Sequence, residues 1–167
     1  DSMRRTPGFG GFTFAVDLEF PHKAPVTGQM LANQAAQWSL KLTPDATLKL
    51  TLNDETFESA KLPLGSTLCN KLVLTTYYLR SKLNAEIDKS IVTLWLNGKP
   101  VIDVSQPSPA EFPADIQQPT YLGQNPEGGE LFEGRLGKPY LFNEFYYRDD
   151  PWQVGRDIAR IENLLCQ

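Results

Sequence analysis

The stretch IVTLWLNGKPVIDV, Ile91 to Val104, sets two apolar runs around Asn97-Gly98. Asn-Gly is the strongest short-range signal for a two-residue hairpin turn, because both central residues take positive φ and these two tolerate it best. The flanks read as strands. Side chains alternate with period two, so Val92, Leu94 and Leu96 fall on one face of the pleat while Thr93 and Trp95 fall on the other. Trp95 therefore points away from its aliphatic neighbours.

The same reading extends outward from the hairpin. GFTFAVDLEF alternates Phe12, Phe14, Val16 and Leu18 with smaller or polar residues. QWSLKLTP and ATLKLTLND follow, joined by the turn pair Pro44-Asp45. ETFESAKLPL comes next, then KLVLTTYYL, and SKLNAEIDKS reads as a polar loop leading into IVTLWLNG. GKPVIDVSQ closes the hairpin. Beyond the proline-bearing PSPAEFPADIQQP come TYLGQ, a Gly-rich turn NPEGGE, and LFEGRLGKPYLFNEFYY. Short strands with turn residues about every ten positions are the pattern of an all-β sandwich.

The end of the chain changes period. In DDPWQVGRDIARIENLL, Asp150 is a candidate N-cap and Pro151 suits the first helical position. Val154, Ile158, Ile161 and Leu165 then recur near 3.6 spacing, which predicts one short helix packed on the sandwich, with a partner-binding helix as the alternative.

Composition bounds the function. A chain of 167 residues is about one domain with a single sizeable core. Sixteen basic against twenty acidic residues give a net charge of -4, with a pI near 5.0. That balance disfavours phosphate backbones and anionic lipid as partners, so nucleic acid is not expected. No run reaches the roughly 18 to 20 apolar residues of a spanning helix, so membrane insertion is not expected either. Cys69 and Cys166 lie too far apart in sequence for a local zinc knuckle or a Cys-x-x-Cys site. They are either a disulfide, closing a loop of about 100 residues for roughly 4 to 5 kcal/mol in the chain-entropy model, or two unpaired thiols.

Four segments carry a family likeness: WSLKLTPDATLKLTLND, NKLVLTTYYL, VTLWLNGKPV, and TYLGQ with LFEGRLGKPYLFN. Taken in order, they resemble the concanavalin A-like superfamily, and within it the laminin G-like and pentraxin-like branch. The resemblance spans roughly Phe12 to Ile161. It implies an all-β, two-sheet antiparallel jelly-roll sandwich with a short C-terminal helix, residues 1–167 forming a single laminin G-like domain. Where relatives often carry tryptophan or histidine before the apolar strand, this chain has Leu68, Cys69 and Asn70. The acidic cluster of the pentraxin double calcium site has no obvious counterpart.

The resemblance also implies what the residues do. One face of the front sheet in this fold is concave, and Thr93 and Trp95 are expected to line it, with Tyr77 or Tyr78 beside them and Trp38 or Tyr121 extending the surface. Flat rings stack on the C-H faces of sugars. The expected function is a non-catalytic recognition module of a secreted or surface protein that binds carbohydrate. The alternative is protein-protein adhesion or assembly through Tyr146-Tyr147 and the helix, and Trp95 filling a groove is the competing structural role. A rim calcium common in such relatives makes Asp103 and Asp54 candidate Ca2+ ligands, with Asp17 and Asp149-Asp150 as further donors. Its extracellular setting favours the disulfide.

An enzyme is not expected. Glu86-Ile87-Asp88 resembles part of the carboxylate motif of laminarinase-type glycoside hydrolases, but Ser90 and Ile91 stand where the third acid belongs. His22 is the single histidine and has no nucleophile pattern around it.

Overall fold

The computed structural model describes residues 12–34, 37–52, 55–80, 87–106, 119–142 and 151–167, with the backbone alone at 77–80, 87–90, 106 and 151–156. Eleven described strands and one helix are β1 (Phe12–Glu19), β2 (Gln29–Gln34), β3 (Trp38–Leu42), β4 (Leu48–Leu52), β5 (Glu55–Glu58), β6 (Asn70–Arg80), β7 (Ile87–Leu96), β8 (Lys99–Gln106), β9 (Thr120–Leu122), β10 (Arg135–Leu136), β11 (Tyr140–Phe142) and α1 (Pro151–Glu162).

They form two antiparallel sheets. The first runs β10-β1-β6-β7-β8, with β11 also pairing β1, and the second runs β5-β4-β3-β2-β9. The expected β-sandwich with a short terminal helix is the observed architecture. Its core follows directly from the alternation: Phe12, Phe14, Val16, Leu72, Leu74 and Leu94 from the first sheet meet Leu40, Leu42, Leu48 and Leu50 from the second, all fully buried.

The hairpin that opened the sequence forms as expected. Asn97 and Gly98 take φ of 51° and 79°, and Leu96 pairs with Lys99 across a two-residue turn. Asn97 also ties the turn to β6: its N–H donates to Lys71 O (2.8 Å), and its Oδ1 accepts from Lys71 N–H (2.8 Å).

Two expectations change, and the helix packs on the sandwich as expected. Residues 87–90 belong to β7, so the last four residues of SKLNAEIDKS are strand and not loop. Strand β2, QMLANQ, is missing from the sequence reading because it has no alternation to see: a register shift between Met30 and Ala32 bulges Leu31 out of the pairing with β3, and all six residues are buried. Helix α1 adds a third layer. Ile158, Ile161 and Leu165 bury against Ala15 and Val73 on the outer face of the first sheet, with Trp95, Tyr140 and Phe142 packed around them. The proposed cap Asp150 and the pair Tyr146-Tyr147 lie outside the described residues.

Strand polarity gathers the described loops at one end. Those after β1, β3, β5, β7 and β9 all emerge there, and so does the C-terminal end of α1, where Cys166 is joined to Cys69 by a disulfide. Of the two alternatives for the cysteines, the bridge is the one formed.

Candidate functional site

The first sheet offers little open surface on its outer face. Cross-strand register lines up Phe142, Thr13, Thr75, Thr93 and Asp103 in one row, and Tyr140, Ala15, Val73 and Trp95 in the next. Thr13, Thr75 and Thr93 are buried, and Trp95 is half-buried against the α1 cluster. Trp95 Nε1–H donates to Thr75 Oγ1 (3.2 Å), and the Thr93 hydroxyl donates to Asp103 Oδ1 (3.2 Å).

The second sheet presents a different outer face. The half of the pleat opposite the core places Tyr121, Asn33, Ser39, Thr51 and Thr56 in one cross-strand row, one residue from each of five strands. The next row carries Met30, Lys41, Lys49 and Glu58. With strands about 4.8 Å apart, the first row spans about 19 Å. Hydroxyls dominate it. Thr51 and Thr56 share a hydroxyl contact at 3.3 Å, and Ser39 and Tyr121 are partly open to solvent.

The loop after β9 walls one side of this face. Asn33 Nδ2–H donates to Gln124 O (2.9 Å), Met30 N–H donates to Glu130 O (2.8 Å), and Lys41 Nζ pairs with Glu130 Oε1 (2.8 Å). Gly123 and Gly128, at φ of 69° and 81°, supply the left-handed turns that fold the loop back. Among the described residues no helix covers this face, since α1 lies on the other sheet.

Set against these positions, the expected site residues separate. Trp38 is 3% exposed, with Phe12 and Phe14 ring centroids at 5.4 and 5.3 Å, so it is a core residue and not a surface platform. Thr93 and Trp95 lie on the expected side of β7, where Thr93 is buried and Trp95 is half-buried beside the α1 cluster. The backbone of Tyr77 and Tyr78 pairs with Ile91 and Ser90, and their side chains lie outside the described set. Tyr121 stands on the second sheet, beside Asn33, on the outer face of the sandwich. Asn33, Ser39 and Thr51 went unread in the sequence, although the polar positions of WSLKL and LKLTL were the visible half of the same alternation.

The candidate calcium donors do not converge among the described residues. Asp103 is engaged by Thr93, and Asp54 lies outside the described set. Three potential ligands come together at Asp17, Cys69 and Cys166, where both sulfurs are spent in the disulfide.

The sequence matches no protein-family model and no curated protein. Solved structures do match. A putative carbohydrate binding protein from Bacteroides ovatus superposes with a TM-score of 0.59 at 14% identity, over 90% of this chain and 43% of that one. The CBM40 of a Ruminococcus gnavus IT-sialidase, bound to alpha2,3 sialyllactose, gives 0.57 at 15% identity, over 89% of this chain and 83% of that one. The binding domain of botulinum neurotoxin DC, in complex with rat synaptotagmin II, gives 0.56 at 13% identity, over 93% of this chain and 36% of that one. The chain thus spans less than half of the Bacteroides and toxin chains. At such identities the likeness shows the β-sandwich fold alone.

Proposed function

We propose that the chain is a non-catalytic carbohydrate-binding module, acting through the outer face of the second sheet. The supporting observation is the row Tyr121, Ser39, Thr51 and Thr56: one aromatic ring at the end of a band of hydroxyl groups, with Asn33 buried in the same row and holding the loop after β9 that walls the face. A phenol ring stacks on the apolar face of a pyranose, while hydroxyls and amides exchange hydrogen bonds with its OH groups. Lys49, exposed in the next row, adds a cation beside the band. A putative carbohydrate binding protein and a CBM40 bound to sialyllactose share the fold, which supports this reading; the laminin G-like branch stays the proposed family on the four sequence segments alone.

The module belongs, on this reading, to a secreted or surface protein. A disulfide between residues 97 apart in sequence persists in an oxidising compartment.

One observation favours a protein partner as the second reading. The four exposed large aliphatic side chains among the described residues, Val26 (95%), Leu68 (79%), Leu131 (59%) and Leu164 (39%), all sit at the loop end. The apolar stripe of α1 is already occupied by the first sheet, so Tyr146-Tyr147 is the further contributor proposed for such an interface.

A broad glycan array separates the two, with the natural chain run beside Tyr121→Ala and a Val26→Ser/Leu131→Ser double variant. The carbohydrate reading expects hits that Tyr121→Ala weakens by about tenfold or more and that the loop variant leaves unchanged. A folded protein with no hit on the array sinks it.

A further inference from the structure

One residue beside the second sheet's outer face has an unfavourable backbone. Glu130 takes a φ of 51°, in the left-handed region where a Cβ crowds the following carbonyl oxygen. Glycine fits that region readily, and the chain has glycine at 128 and 129 immediately before it. The backbone hydrogen bond of Glu130, whose carbonyl accepts Met30 N–H at 2.8 Å, needs no particular side chain. Among the described residues its carboxylate meets one partner, Oε1 to Lys41 Nζ at 2.8 Å, with the two side chains 35% and 31% exposed. A partly exposed ion pair stabilises a fold only slightly. Neither contact accounts for a glutamate at this position, and strained residues of this kind gather where ligands are held.

The surroundings fix the place of that carboxylate. Asn125 closes the loop just before it: its N–H donates to Gly129 O (3.0 Å), and its Oδ1 accepts from Gly129 N–H (2.6 Å). Met30 then ties Glu130 to β2 and pairs with Lys41 across β2 and β3. Lys41 shares the outer face of β3 with Ser39, two residues and about 7 Å along the strand. Carboxylate and ammonium therefore stand beside Ser39, at the edge of the row that begins with Tyr121. Glu130 Oε2 and the hydroxyls of Ser39 and Tyr121 have no protein partner among the described residues. The ammonium carries three donors and gives one to Glu130.

We propose that Glu130 and Lys41 together read two adjacent hydroxyls of the sugar, an assignment that rests on this face being the sugar site. Each hydroxyl of a pyranose both donates and accepts. Adjacent hydroxyls that are gauche on the ring lie about as far apart as the paired carboxylate and ammonium. One hydroxyl donates to the carboxylate and its neighbour accepts from the ammonium, so the pair is complementary to an intact gauche diol. A trans-diaxial pair, whose oxygens point apart, does not fit. Hydrogen bonds to charged groups are the stronger kind, and a sugar lacking either hydroxyl leaves one charge unanswered. Glu130 is thus a specificity-determining residue, while Tyr121 supplies affinity by stacking, which depends little on the hydroxyl pattern.

The test is an amide NMR titration of the whole chain with the methyl pyranosides of glucose, galactose and mannose and with their monodeoxy counterparts. Removing either hydroxyl of one adjacent pair should weaken binding by about tenfold, and removing a hydroxyl elsewhere by less than about twofold. Glu130→Gly should melt at or above the midpoint of the natural chain, because it relieves the left-handed strain. It should nevertheless bind the parent sugars about tenfold more weakly and no longer distinguish parent from deoxy sugar. Glu130→Gln, which keeps the bulk of the side chain, should also lose binding severalfold. Tyr121→Ala should weaken parent and deoxy sugars alike and keep the penalty between them. A lower midpoint for Glu130→Gly would show that the side chain serves the fold and would overturn the proposal. Unchanged affinity in both Glu130 variants, with Tyr121→Ala weakened, would refute the pair and leave the sugar face standing. A folded natural chain that shifts with none of these sugars refutes face and pair together.

Discussion

Replacing Trp95 by alanine separates a packing residue from a ligand platform. Its indole is half-buried against Ile158, Ile161 and Leu165, and its ring N–H is bound by Thr75 Oγ1. A fully buried Trp→Ala costs about 3 to 5 kcal/mol; half that burial leaves about 2 kcal/mol. The lost hydrogen bond, whose acceptor Thr75 is itself buried, adds about 1 kcal/mol. The expected loss is therefore about 3 kcal/mol. In urea, with a slope of about 2 kcal/mol per molar, the midpoint should fall by about 1.5 M. Trp95→Phe should recover most of this, since it keeps the apolar contact and forfeits the donor. Glycan binding by the folded variant should be unchanged. A stability loss below about 1 kcal/mol, combined with lost glycan binding, would show Trp95 to be exposed to ligand and would refute the assignment.

Other consequences follow from single contacts. Gly134→Ala would put a Cβ 2.1 Å from the Glu19 carbonyl oxygen, forcing the backbone of β10 away from β1; thermal unfolding should register about 2 to 3 kcal/mol of destabilisation, and an unchanged midpoint would contradict the close approach. Lys41→Ala removes a partly exposed ion pair with Glu130, and chemical denaturation should show a cost under about 1 kcal/mol. Because Asp103 is engaged by Thr93 on the opposite sheet from the proposed sugar face, glycan array signals should be the same in millimolar calcium and in chelator. Their loss in chelator would place a cation at the site.

Much of the fold was legible because burial on one side writes alternation into the chain. Phe12, Phe14, Val16 and Leu18, or Leu48 and Leu50, announce both strand and face, and Asn97-Gly98 announces its turn. QMLANQ was illegible for the same reason in reverse, since a bulged strand buried on both faces carries no period. The candidate site was harder. Trp95 was placed on the correct face of β7, but whether that face meets solvent depends on a helix some sixty residues further along the chain. Trp38 was misread because a tryptophan that leads a strand looks alike whether it points to the core or away from it. Small polar residues such as Ser39 and Thr51 carry no signal one at a time. They become a surface only when register aligns them across five strands.

The most direct measurement of where ligand binds is a backbone amide NMR titration of the isotope-labelled chain with the strongest glycan hit from the array. Binding through the second sheet predicts shift changes at Tyr121, Asn33, Ser39 and Thr51, together with the wall residues Gln124 and Glu130, while Val73, Trp95 and Ile158 stay still. Changes confined to Thr93, Trp95 and the helix, or to the loop end around Val26 and Leu131, would contradict it.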